Sequence, residues 1–160
     1  LLKSLLKLEK TLFSKNLLAS DLDSFIRSYL HKFNIIYGHG TGHGVGYFND
    51  VHEKYPIISP QSNQKILDGN FFSIEPGFYS SNEFGLRLEN LYFAKKHSNG
   101  IKLEGVTLVP YDLDLINWKL INNQEKLGIK KYHQKIYETL KGQLEPKYKD
   151  YYKKYLINKL

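Results

Sequence analysis

Cysteine and methionine are both absent from the 160 residues. Without thiols there is no disulfide and no thiolate metal site, so any bound metal must rest on imidazole and carboxylate, donors that suit Mn, Co or Zn. Without methionine, even at position 1, the chain is expected to be trimmed or to be part of a longer protein. No apolar run approaches the roughly eighteen residues of a membrane helix. The opening "LLKSLLKLEKTLF" also lacks the apolar block and cleavage site of a secretory signal. A soluble, cytoplasmic protein that binds no membrane is the expectation. Negative charge is the scarcer sign, with 16 Asp and Glu against 23 Lys and Arg. The lysines are spread and thicken mainly in the tail, which reads as a solvated basic helix and not as a nucleic-acid surface.

What is present is a helical start, a glycine-punctuated middle and a helical end. Leu1, Leu2, Leu5, Leu6, Leu8, Leu12 and Phe13 mostly follow helical spacing. A second helix is expected after Ser20, an N-cap with Asp23 as its capping-box-like partner, and its stripe is Leu22, Phe25, Ile26, Tyr29, Leu30 and Phe33. Then come short β-like runs, "NIIYGHG", "NFFSIEPGFYS", "FGLRLENLYFAKK" and "IKLEGVTLVPY", two of them joined through the hairpin-length "PGFYSSNEFG". From Asn122 helical spacing returns, and a Tyr- and Lys-rich last helix follows Pro146. This order reads as α+β with a largely antiparallel sheet, one domain over residues 1–121 and a helical extension over 122–160.

The stretch "GHGTGHGVGYFNDVHE" holds His39, His43 and His52, half of the six histidines. Gly38, Gly40, Gly42, Gly44 and Gly46 make a helical H-x-x-x-H site improbable, so the segment is extended or looping. In an extended chain His39 and His43 share one side with Thr41 between them, and His52 lies a strand-length away. Turn histidines in a glycine-rich loop are the bland alternative. Glu75, inside "FFSIEP", is costly to bury unless paired or metal-bound. Arg87 and Glu89 alternate with Leu86 and Leu88, which on a half-buried strand puts the charges on one face. One imidazole and two carboxylates, with further histidines nearby, compose the ligand set of a hydrolytic metal site.

"HGTGHGVG", "NDVHE", "SIEPGFY", "FGLRLENL" and "TLVPYDLDLI", in this order, resemble the pita-bread metallopeptidases of family M24, specifically the C-terminal catalytic domain of Xaa-Pro aminopeptidases. The resemblance implies a curved sheet with helices on its outer face and a helical C-terminal extension that includes "KKYH". It implies that His43, Glu75 and Glu89 are metal ligands, with Glu75 also placed to accept a proton from the reacting water. His39 and His52 would be non-ligand histidines that bind substrate and assist proton transfer, and Arg87 would steady the ligands from behind. Two divalent ions, most often manganese, with zinc or cobalt as alternatives, would serve removal of an N-terminal residue that precedes proline. A homodimer is a further expectation.

Members of the family use five ligands, two of them aspartates upstream of the histidine motif. Here only Asp21 and Asp23 precede His39, both in the first turn of the second helix, where capping and the helix dipole account for them. The chain is therefore expected to begin after two aspartate ligands, to carry three ligands of five, and to bind metal weakly by itself with little or no activity. A non-catalytic pita-bread module used in protein binding and a prolidase-like dipeptidase are the rival readings.

Overall fold

The computed structural model describes residues 1–48 and 51–159, so Asn49 and Asp50 of "NDVHE" lie outside the described residues. The first compact unit is Leu1–Thr107 and the second Leu108–Leu160. Among the described residues no helix is long and apolar enough to cross a membrane.

The first unit begins with α1 (Leu2–Lys10) and α2 (Ala19–His31), separated by the two-residue strand β1 (Leu12–Phe13). Leu5 and Leu8 of α1 and Leu22, Ile26 and Leu30 of α2 are buried together, the spacing expected of core-facing stripes. Here α1 stops three residues earlier than its apolar pattern. Thr11 turns to an extended conformation, and Leu12 and Phe13 pair with Lys102 and Ile101 instead, because a sheet edge supplies the backbone partners that a fourth helical turn would have. The cap of α2 also differs from expectation. Leu18 is the N-cap residue, and the Asp21 carboxylate accepts its backbone N–H at 2.9 Å. Asp23 caps nothing, for its side chain is 1% exposed and paired with Arg27.

After α2 the chain forms β2 (Gly42–Gly44), β3 (Glu53–Ile58), β4 (Phe71–Ile74), β5 (Gly77–Ser80), β6 (Phe84–Arg87), β7 (Asn90–His97) and β8 (Gly100–Gly105). Five of these strands and β1 make one sheet in the order β1-β8-β7-β4-β2-β3, with every neighbouring pair antiparallel. On β7 and β8, buried Tyr92, Ala94, Ile101 and Leu103 alternate with exposed Phe93, Lys95, Lys102 and Glu104, so one face meets the helices and the other does not. The run "NIIYGHG" is not a strand. Residues 32–41 are irregular, Asn34 adopts a left-handed φ of 56°, Ile36 is exposed and Tyr37 is buried. Its β-branched residues signalled burial and extension, but among the described residues 34–40 belong to no strand pairing.

The turn-rich connection does join two strands as a hairpin, β5–β6, but that hairpin stands as a separate two-stranded sheet. The expected alternation along "GLRLEN" fails here. All of β6 is exposed, Leu86 included, and Glu89 falls in the link to β7, so Arg87 and Glu89 are not two positions of one strand face. A two-stranded ribbon has no second layer to bury its leucines against.

In the second unit, two 3-10 turns, Leu113–Leu115 and Trp118–Leu120, lead into α3 (Asn123–Leu140), followed by α4 (Pro146–Tyr151) and a π-helical turn, Tyr152–Ile157. Asn122 and Glu125 cap α3 reciprocally, each side chain accepting the other's backbone N–H at 2.9 Å. The second unit starts ahead of α3, at Leu108, because the segment before α3 bonds to it. Tyr132 Oη donates to the Val109 carbonyl at 2.9 Å, and the Tyr111 N–H donates to His133 Nε2 at 3.0 Å.

His133 is fully buried, and its Nδ1–H donates to the Leu156 carbonyl at 2.9 Å. Burial holds its pKa below the usual imidazole value, against the opposing pull of that carbonyl. The unfolded chain then binds the extra proton more readily, so this residue's stabilising contribution is complete above about pH 6.5 and is lost as pH falls below it. Urea unfolding followed by Trp118, the single tryptophan, is expected to show a lower midpoint at pH 5 than at pH 8. His133→Gln, which keeps one donor and one acceptor, should flatten that dependence. An equal pH response in the variant would assign the effect elsewhere.

Candidate metal centre

The glycines of "GHGTGHG" are required at two positions by close backbone approach. A Cβ on Gly42 would lie 1.9 Å from the Ser73 carbonyl oxygen, and one on Gly44 would lie 1.9 Å from the Tyr55 oxygen. Between them sits His43, at a break in register: its strand partner is Ile57, whereas the partner of Gly44 is Glu53. Such an irregularity bends the strand and re-aims a side chain. The His43 N–H donates to Ser73 Oγ at 3.1 Å, which fixes the residue against β4.

Across from it, Glu75 leaves the end of β4, its N–H donating to the Thr41 carbonyl at 2.8 Å. His43, Glu75 and Glu89 each offer one ligand atom, and these three atoms lie within 4.8 Å of one another. His43 Nδ1 lies 2.8 Å from the Gly44 carbonyl and serves as the donor, because that oxygen can only accept. In the neutral ring Nε2 then carries the lone pair, and it faces Glu75 Oε1 at 3.5 Å. A lone pair, one half-buried carboxylate and one exposed carboxylate converging on one point form a cradle for a cation. The donor set fits a divalent ion of the Mn, Co or Zn type.

Arg87 and Tyr79 back this cradle. Arg87 Nη1 donates to Glu75 Oε2 at 3.3 Å and Nε donates to Tyr79 Oη at 3.0 Å. The bond to the Tyr79 oxygen, opposed by slight burial and reinforced by the charges of Tyr79, Glu75 and Glu89, holds the guanidinium above its usual range. Tyr79 Oη in turn donates to His39 Nε2 at 2.9 Å, while His39 Nδ1–H donates to the Gly40 carbonyl at 2.7 Å. The proton directions follow from the donors and acceptors alone. The His52 ring lies 4.1 Å from that of His43, centroid to centroid. All six residues singled out in the sequence, His39, His43, His52, Glu75, Arg87 and Glu89, thus meet in one region of the first unit.

Tyr79 is the residue that sequence reasoning missed. It has a signal in retrospect, since its ring lies over two glycines of the hairpin. A Cβ on Gly77 would meet the Tyr79 hydroxyl at 2.5 Å, and one on Gly85, its cross-strand partner, would meet the ring at 2.9 Å.

Residues 1–96 match Metallopeptidase family M24, and residues 100–159 match the C-terminal region of peptidase M24. The chain belongs to family M24. Its antiparallel sheet and helices are part of the pita-bread fold. This M24 chain superimposes on the crystal structure of X-prolyl aminopeptidase from Caenorhabditis elegans, described as a cytosolic enzyme with a di-nuclear active site, with a TM-score of 0.82 and 30% identity. That match covers 97% of this chain and 26% of the worm enzyme. A Pyrenophora teres f. teres protein, "Probable Xaa-Pro aminopeptidase P", is 38% identical over 86% of this chain and 23% of its own length. Xaa-Pro dipeptidase from Bacillus anthracis is similar at 25% identity and a TM-score of 0.57, over 69% of this chain and 29% of that one. The M24 chain therefore spans about a quarter of the length of these relatives.

Proposed function

We propose that this chain carries part of the catalytic centre of a metal-dependent aminopeptidase that hydrolyses the bond between an N-terminal residue and a following proline. The observation that carries this reading is the convergence of His43, Glu75 and Glu89 within 4.8 Å in an M24 fold. His43 Nε2 and a carboxylate oxygen each of Glu75 and Glu89 would hold divalent metal, manganese in this reading, with zinc or cobalt as the alternatives. Two such ions supply Lewis acidity and activate water for attack on a carbonyl. The remaining upstream ligands of a five-ligand pair are not among Asp21 and Asp23, because the first caps α2 and the second is bound by Arg27.

The protein's own groups then have separate tasks. Arg87 occupies Glu75 Oε2 and Oε1 faces His43 Nε2 in the cradle, so the Glu75 carboxylate would both hold metal and lie where it can accept a proton from the reacting water. His39 receives the Tyr79 proton at Nε2, so its ring is held at fixed orientation while Tyr79 can exchange that proton with a substrate group. His52, exposed and with its ring tilted against that of His43, lies where it can bind the substrate and shuttle a proton. A proline after the scissile bond offers no N–H to the enzyme, so recognition has to come from the substrate's amino terminus and carbonyl oxygens. The substrates are accordingly peptides with proline in second place.

The intact gene product, assayed with manganese, should release the first residue from an Xaa-Pro-Xaa tripeptide, and this chain by itself should release little. Cleavage confined to Xaa-Pro dipeptides would favour a prolidase-like dipeptidase. No release with manganese, cobalt or zinc would favour a pita-bread module used only in protein binding.

A further inference from the structure

Residues 32–41 have no strand or helix to satisfy their carbonyl groups, yet they carry His39. Two of those groups are satisfied from α2. Arg27 Nη1 donates to the Tyr37 carbonyl at 2.8 Å and Nη2 to the His39 carbonyl at 2.6 Å, while Nε donates to both oxygens of Asp23 at 2.9 and 3.0 Å. Its guanidinium also stacks 4.1 Å above the Tyr37 ring. The buried Asp23 carboxylate has a second partner. Thr41 Oγ1 donates to Oδ1 at 2.5 Å and accepts from Tyr37 Oη at 2.6 Å. The carbonyl of the same Thr41 receives the N–H of Glu75. One carboxylate on α2 therefore reaches both a candidate substrate histidine and a candidate ligand.

We propose that Asp23 and Arg27 form a latch on α2 that positions the active-site loop, with Arg27 orienting His39 and Thr41 passing the constraint to Glu75. Both are positioning residues, since neither touches the reacting atoms. Their assignment to a reaction rests on the metallopeptidase reading above. Only arginine can satisfy two carbonyl groups and a carboxylate from one planar fork, so lysine cannot replace it. A buried carboxylate shared by a guanidinium and a hydroxyl also has no low-energy alternative arrangement, which makes the loop geometry single-valued.

Long-range proton–nitrogen NMR spectra of the metal-free, nitrogen-15-labelled chain at pH 8, where ordinary imidazoles are neutral, test this directly. The parent should show His39 protonated at Nδ1, the minor tautomer of free histidine in water. Arg27→Met and Arg27→Lys should shift it to the Nε2–H form, with the backbone amide signals of β7 and β8 unchanged as a control for folding of the first unit. Thr41→Val should do the same and speed exchange of the Glu75 amide at least tenfold, whereas Thr41→Ser should behave as the parent does. An Nε2–H tautomer in the parent, or an unchanged Nδ1–H tautomer in Thr41→Val and in any folded Arg27 variant, would overturn the latch. Manganese broadening of His43 signals in the parent sample is a separate readout. Its absence would remove the metal reading and leave the tautomer result standing.

Discussion

Alanine in place of Gly42 is expected to unfold the first unit. The added methyl would sit 1.9 Å from the Ser73 oxygen and 2.8 Å from the Ser73 carbonyl carbon, and both belong to the backbone of β4. A crowded side chain can change rotamer, but a paired strand can only move away. Moving β4 would separate it from β2 and from β7, where Phe72 and Ile74 are fully buried. Overpacking a core ordinarily costs about 1–3 kcal/mol, and displacement of backbone places this case at or above the top of that range. Against a total stability of about 5–15 kcal/mol for a typical domain, this is enough to populate the unfolded state. Gly38→Ala is the matched control, because its methyl would meet nothing within 4 Å. It should stay within about 0.5 kcal/mol of the parent. Urea denaturation followed by circular dichroism compares the two, and equal midpoints would refute the close-packing account.

Added manganese is expected to raise the unfolding temperature of the parent chain in a concentration-dependent way, and Glu75→Gln to remove that response. An ion that binds only the folded chain stabilises it by about 2.7 kcal/mol when present at a hundred times its dissociation constant. Three donors hold an ion less tightly than a complete coordination sphere, so the response should need a large excess of metal. Glutamine keeps the shape of Glu75 but withdraws the charge that faces the His43 lone pair. His43→Ala and Glu89→Gln should weaken the response as well. Without metal, Glu75→Gln should change stability little, because the ion pair it breaks joins Arg87, about half exposed, across solvent-accessible space. A parent chain whose unfolding temperature ignores manganese, zinc and cobalt would contradict the assignment of these three residues.

Glu75 was legible in the sequence because a carboxylate inside "FFSIEP" demands a partner, and the structure supplies Arg87 at 3.3 Å. At His43 the glycines excluded a helix and left an extended or looping segment, and its expected ligand role came from the family resemblance. Tyr79 was not, since an exposed tyrosine on a short strand looks like many of the 13 in the chain. Its role depends on Gly77 and Gly85 making room beneath its ring, and on the fold bringing His39 forty residues back to its hydroxyl. Asp23 was read as a helix-terminal residue by its position alone, whereas its partners are Arg27 one turn on and Thr41 in a distant loop.

By itself, the sequence determined the donor chemistry and the class of fold. With no cysteine, only imidazole and carboxylate could bind metal, and residue-type periodicity, which reflects local geometry, marked out helices before and after a largely antiparallel sheet. The tertiary structure decided where α1 ends, that "NIIYGHG" is irregular, that β6 stands outside the main sheet, and which carboxylate is a ligand candidate and which a latch. These depend on hydrogen-bond partners and close contacts between residues far apart in the chain. Such contacts leave no period in the sequence, because each is set by what the rest of the fold places opposite it.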